Sequence, residues 1–191
     1  MDCQALIDKY YPADDALRRL LLLHSRQVAQ RCLSVCDSRP ELHIDRTFVG
    51  QAAMLHDIGI RWCHAPAIYC TGTEHYLRHG LIGGEVLRRE GLPRHARVCE
   101  RHTGTGLTTP PLAPDGTPLL PPDKVAQRCF VPETIEEQLV CYADKFYSKS
   151  HPERVLTIAE AAQSLQRFGQ DGVTRFLAWA ALFEGYSPDT L

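Results

Sequence analysis

Apolar residues recur three and four apart along most of this chain, and that spacing commits it to helices. From Ala16 to Val35 the apolar positions include Leu17, Leu20, Leu21, Val28, Cys32 and Val35, a stripe that one face of a 3.6-residue period would bury. Asp14 and Asp15 stand where the helix dipole favours negative charge. Asp45 is placed to cap a second helix through Phe48, Val49, Ala52, Ala53 and Leu55, with Gly59 as its stop. A third runs from about Gly80 to Glu90 and ends at Gly91. Pro93 opens a fourth, which reaches about Arg101. Glu133 to Tyr147 is helical in pattern, and Pro152 to Phe168 and Val173 to Phe183 read as two closing helices, broken at Gly169 and Gly172. Alternating strand patterns are scarce. The expected fold is all-α, a single-domain helical bundle over residues 1–191.

One stretch resists this pattern. Thr108 to Pro132 is rich in proline, and proline removes the backbone donor that a helix interior needs. A loop of that length inside a compact domain is often functional. The expectation is a lid over the active site, with a short helix near Asp123 to Arg128.

Composition narrows the class. A chain of 191 residues with 44% apolar and 23% charged residues can bury a core as one soluble domain. A formal net charge of −2 argues against a general nucleic-acid binder, so no nucleic-acid duplex is expected as partner. No apolar run reaches the roughly 20 residues of a membrane span, and Met1-Asp2-Cys3-Gln4 does not open like a secretory signal. The eight cysteines contain no CxxC pair and read as reduced thiols of a cytoplasmic protein. The oligomeric state is not legible.

The chemistry-bearing residues are spread wide. His56-Asp57, in the run Met54-Leu55-His56-Asp57-Ile58-Gly59, follows the apolar face of the second helix. His24, His79, His102 and Asp144 lie at broad intervals around it, giving the order His…His-Asp…His…His…Asp. Neutral imidazoles donate nitrogen lone pairs to Fe, Mn, Zn, Co or Ni, and a carboxylate can bridge two ions about 3.5–4 Å apart. A consistent assignment gives one metal to His24, His56, Asp57 and Asp144, and a second, more open one to Asp57, His79 and His102. His43, His64, His75, His95 and His151 fit less well, and His95 is expected to be exposed after Pro93-Arg94.

Over about Leu21 to Ser148 this pattern resembles the HD-domain superfamily of metal-dependent phosphohydrolases, two-metal branch. The residues that carry the likeness are His24 in Leu-His-Ser-Arg-Gln-Val-Ala, the His56-Asp57-Ile58-Gly59 run, His79, His102, and Asp144 in Tyr-Ala-Asp-Lys. The Gly-Tyr-Pro signature of the cyclic-di-GMP-cleaving branch is absent from the neighbourhood of Arg101 to Gly106. The resemblance implies a helical bundle around the metals; residues 152–184, beyond it, are expected as closing helices from their pattern alone. It implies hydrolysis of a phosphoester or phosphoanhydride in a small anionic phosphate-containing substrate. In that scheme Asp57 is catalytic as the bridge, a metal-bound hydroxide attacks phosphorus, and Lys145, then Arg101, hold the phosphate. A di-iron, O₂-dependent oxygenase on the same ligand order is the alternative, and a non-catalytic metal-binding or signalling module is the third.

Overall fold

Carboxylates and hydroxyls start the main helices of the computed structural model, which describes residues 1–187. Asp2 accepts from the Ala5 amide at the head of α1 (Cys3–Tyr10). Asp15 accepts from Arg18 and opens α2 (Ala16–Ser38), while Asp45 accepts from Phe48 and opens α3 (Arg46–Leu55). Each satisfies an amide that the first turn leaves without an intrahelical partner. After α3 the chain turns tightly and runs through three short strands, β1 (Cys63–Ala65), β2 (Cys70–Thr71) and β3 (Glu74–His75). Their order is β2-β1-β3, with β1 antiparallel to β2 (His64 opposite Thr71) and parallel to β3 (His64 opposite His75). Then follow α4 (His79–Arg89), α5 (Pro93–Arg101), α6 (Pro122–Ala126), α7 (Ile135–Asp144), α8 (Ile158–Leu165) and α9 (Gln170–Glu184).

The packing divides into two main cores. In the first, α2, α3, α7 and α9 surround Tyr142, whose ring lies 4.9, 5.1 and 5.5 Å from those of Phe146, Phe176 and Phe183. In the second, Ile7, Tyr11 and Leu21 pack with Leu55, Ile58 and Ile60. Phe48, Val49 and Ala52 of α3 belong to the first core, and the residues just beyond α3 belong to the second. The chain therefore passes from one core to the other at His56 and Asp57.

Gly59 makes that passage possible. A Cβ there would lie 2.1 Å from the His79 carbonyl oxygen and 2.5 Å from the Gly83 nitrogen. The end of the α3 turn and the start of α4 thus meet backbone to backbone, which a side chain would forbid.

The all-α expectation is corrected: the fold is mostly helical with a small mixed three-stranded sheet. Strands of two and three residues are too short to display a period of two, so the pattern carried no sign of them. The helix expected from Pro152 begins only at Ile158. Thr157 and Glu160 form a capping box there, each side chain bonding to the other's amide. Before it, Leu156 donates its amide to the Phe146 carbonyl at 2.9 Å. The proline-rich segment is no open loop. Leu120, Val125 and Phe130 bury against Leu81 and Leu107 in a third, smaller cluster, with α6 inside the segment. Among the described residues, no helix is long and apolar enough to cross a membrane.

Gly59→Ala is expected to destabilise the fold by about 3 kcal/mol, because backbone on both sides must move. Gly91→Ala meets open space and only a positive φ of 73°, and should cost about 1 kcal/mol. Urea denaturation of the two variants checks the ranking.

Candidate functional site

Asp57 lies fully buried where the two cores meet. Its Oδ2 faces His24 Nε2 and His56 Nε2, each at 3.2 Å. Its Oδ1 faces His79 Nε2 at 3.4 Å and His102 Nε2 at 3.5 Å. Asp144 Oδ1 closes the first side, 2.9 Å from His24 Nε2 and 3.5 Å from His56 Nε2. The six side chains thus form two donor groups that share Asp57: His24, His56, Asp57 and Asp144, then Asp57, His79 and His102. Within each group the donor atoms lie within 4.8 Å of one another.

Local structure aims the rings. His56 Nδ1 contacts the Ala53 carbonyl at 2.6 Å, His79 Nδ1 that of Tyr76 at 2.6 Å, and His102 Nδ1 that of Cys99 at 2.7 Å. A carbonyl only accepts, so each Nδ1 carries a proton and each ring turns its Nε2 inward. The partner is always the carbonyl three residues earlier, near a helix end. His56 and His102 stand at the last turns of α3 and α5, and His79 begins α4.

Burial lowers the pKa of His79 to about 3 and also lowers that of His102, so both are neutral. Their Nε2 atoms nevertheless sit 2.9 Å apart. Two lone pairs at that distance repel unless a cation lies beside them. Both oxygens of Asp57 are buried without a hydrogen bond. Inward-facing imidazole nitrogens around an unsatisfied carboxylate are a donor set that fits a borderline divalent ion. The protons that are present answer the same field. Burial would lower the pKa of His56, but the carboxylates of Asp57 and Asp144 overcome it and raise the value to about 9. Burial would raise both carboxyls. Lys149 and His56 hold Asp57 well below the usual range, and Lys145 and His24 do the same for Asp144.

The centre forms the floor of a pocket of about 310 Å³. Tyr76, Tyr147 and Phe168 supply aromatic faces to its walls, and Lys145, Lys149 and Arg167 supply positive charge. Lys145 Nζ pairs with Asp144 Oδ2 at 2.6 Å. Lys149 Nζ approaches Asp57 Oδ2 at 2.5 Å as an ion pair whose angles fall short of a hydrogen bond.

Not every residue singled out in the sequence is here. Arg101 is buried away from the pocket, its guanidinium held by the Val131 carbonyl and 3.1 Å from Glu133. Arg78 pairs with Glu74 at the surface, and the exposed His75 accepts from the Leu77 amide. His95, expected at the surface, is only 8% exposed and packs its ring against Phe48. No residue of the 108–132 segment lines the pocket, so the lid expectation fails: its apolar side chains pack in their own cluster. Conversely, the sequence did not single out Lys149, Tyr76, Arg167 or Phe168. Lys149 follows Asp144 by five residues, past the end of α7, where helical spacing predicts no direction for it.

No family model matches the chain, and no solved structure matches it. Curated proteins do, among them the following three. The tRNA (cytidine(56)-2'-O)-methyltransferase of Picrophilus torridus is 33% identical over 144 residues, 75% of this chain and 35% of that enzyme. The protein of the same name from Thermoplasma volcanium is 29% identical over 147 residues, 76% of this chain and 36% of that enzyme. This chain therefore spans about a third of the methyltransferases it matches. An uncharacterized protein of Methanocaldococcus jannaschii, MJ0778, is 31% identical over 141 residues, 69% of this chain and 72% of that protein.

These relatives correct the functional expectation. Those named for an activity are named for methyl transfer to a tRNA ribose oxygen, not for phosphate hydrolysis. The HD-domain phosphohydrolase assignment does not stand, nor do a dinuclear metal as its hydrolytic cofactor and a small phosphate substrate without RNA. The oxygenase alternative has no support in these names either. The physical reason is that a spacing of imidazoles and carboxylates specifies which donor atoms converge, not which bond is broken. The net charge misled in a similar way, since a whole-chain sum says little about one pocket. At 31% identity over most of both chains, the protein belongs to the family of the Methanocaldococcus jannaschii protein MJ0778.

Proposed function

We propose that this chain serves tRNA 2'-O-methylation as a tRNA-facing module, with a divalent cation held at its His–carboxylate centre. The observation that carries the reading is the make-up of the pocket above that centre: three cationic side chains interleaved with three aromatic rings. Single-stranded RNA is held by that pairing, cations on the phosphates and rings against unstacked bases. The names of two relatives supply the tRNA and the methylation.

The cation would be held by His24, His56, Asp57 and Asp144, with His79 and His102 completing the other side of Asp57. When bound, it supplies positive charge beneath the pocket. Lys145 and Arg167 contact a phosphate at the rim, and Tyr76, Tyr147 and Phe168 keep water from the floor. Methyl transfer also takes a donor of the S-adenosylmethionine kind, which bears a sulfonium charge. The pocket's carboxylates, Asp144 and Asp57, are already paired with Lys145 and Lys149, which leaves no free anionic group to receive a sulfonium. The reading therefore assigns tRNA engagement to this segment and donor binding to the remaining two thirds of the methyltransferases. It is supported by MJ0778, 72% of which the match to this chain covers. The proposed compartment is the cytoplasm, consistent with eight cysteines that are all free thiols.

Three outcomes follow from this reading. In fluorescence anisotropy with an unmodified tRNA transcript, Lys145→Ala and Arg167→Ala should each weaken binding and lower the salt slope by about 1. Adding Zn²⁺ or Mn²⁺ to chelator-stripped protein should stabilise it by about 2.7 kcal/mol at a hundredfold excess over Kd. Asp57→Asn should remove that gain, as read from thermal melts. With a labelled methyl donor and unmodified tRNA, the chain alone should transfer no label. Transfer by the chain alone would place the donor site here and sink the division of labour.

A further inference from the structure

We infer that Lys149 is a built-in counter-cation that occupies the shared carboxylate of Asp57, so that a divalent ion gains the centre only by displacing it. The inference rests on the cation reading above and adds a residue that neither the ligand pattern nor the relatives point to.

The two pocket lysines contact the centre differently. Lys145 binds Oδ2 of Asp144, the oxygen turned away from the imidazoles, and leaves Oδ1 facing His24 at 2.9 Å. A cation can enter beside it without disturbing that pair. Lys149 binds Oδ2 of Asp57, the same oxygen that His24 and His56 face at 3.2 Å. Carboxylate oxygens hold ions such as zinc at about 2.0–2.2 Å, so an ion on Oδ2 and the ammonium at 2.5 Å would share one oxygen. Like charges that close, at a fully buried carboxylate, repel strongly, so the ion and the ammonium compete for the oxygen.

The ammonium also has somewhere to go. The Lys149 side chain is 12% exposed and lines the pocket, next to Tyr76, Tyr147 and Ser148. Its residue lies outside any helix, and its four-carbon stem lets the charge swing from the floor to the wall. Until an ion arrives, Lys149 offsets the charge of Asp57 among neutral His79 and His102. Once the ion has taken Oδ2, the ammonium joins Lys145 and Arg167 in the wall. Ion entry thus adds one positive charge to the surface that meets phosphate, coupling the two binding events through a single side chain.

The test is Zn²⁺ affinity, read by competition with a chelating dye, in the wild-type chain and in Lys149→Met, Lys145→Met and Asp57→Asn. Lys149→Met should bind about tenfold tighter than wild type, within the usual range of coupling between sites, and Lys145→Met should stay near wild type. Lys149→Met binding no tighter than wild type, while Asp57→Asn binds far more weakly, overturns the inference and leaves the cation reading intact. Asp57→Asn binding as well as wild type, or no binding by any form, overturns the cation reading and the inference with it. A wild type that binds nothing beside a Lys149→Met that binds supports the displacement outright. Should Lys149→Met fail to fold, reductive methylation of the wild-type chain with mass spectrometry decides. Lys149 should be protected without Zn²⁺ and labelled at saturating Zn²⁺, and unchanged protection at saturation overturns the inference.

Discussion

A single buried carboxylate, Asp57, sets the terms for the rest of the molecule. An unpaired charge in a protein interior costs far more than a fold of this size can spare, so its surroundings must supply partners. Four imidazoles and an ammonium do so, drawn from α2, α3, α4, α5 and the segment after α7. Each of those elements must arrive at a defined distance. The backbone contact at Gly59 brings α4 to the α3 turn. The short sheet carries the chain from α3 round to His79, and the Thr134–Glu137 capping box sets where α7 begins and so where Asp144 falls.

How much of this could be read from the amino acids depends on the range of the signal. Asp15 and Asp45 cap their helices through bonds three residues long, and such local signals are legible without a structure. So is a ring that leans on the carbonyl three residues before it. The sheet was hidden because β2 and β3 are two residues each, and strand pairing is a relation between segments. Arg101 misled because adjacency to His102 in sequence does not make two helical side chains point the same way; the guanidinium turns to Glu133 and the Val131 carbonyl. Lys149 was missed because its place depends on a reach across the pocket to Asp57, 92 positions earlier in the chain.

The same distinction explains why a converging set of donor atoms led to an activity that the relatives' names do not support. His24, His56, Asp57, His79, His102 and Asp144 converge in space, and convergence follows from order and helical face. The reaction depends as well on what lines the pocket above that centre. There, rings at Tyr76, Tyr147 and Phe168 stand beside Lys145 and Arg167, the lining on which the proposed tRNA role rests. The match covers a third of one named enzyme and most of another protein. A shared fold and site do not by themselves carry the chemistry of a whole enzyme.

The contact between His24 and Asp144 spans 120 positions of the chain. An ion gripping both would act topologically as a cross-link does, closing one long loop, while His79 and His102 would close shorter ones inside it. The unfolded chain would lose the entropy of those closures, and long loops lose most. Occupancy of the centre would then govern how the chain folds as well as what it binds.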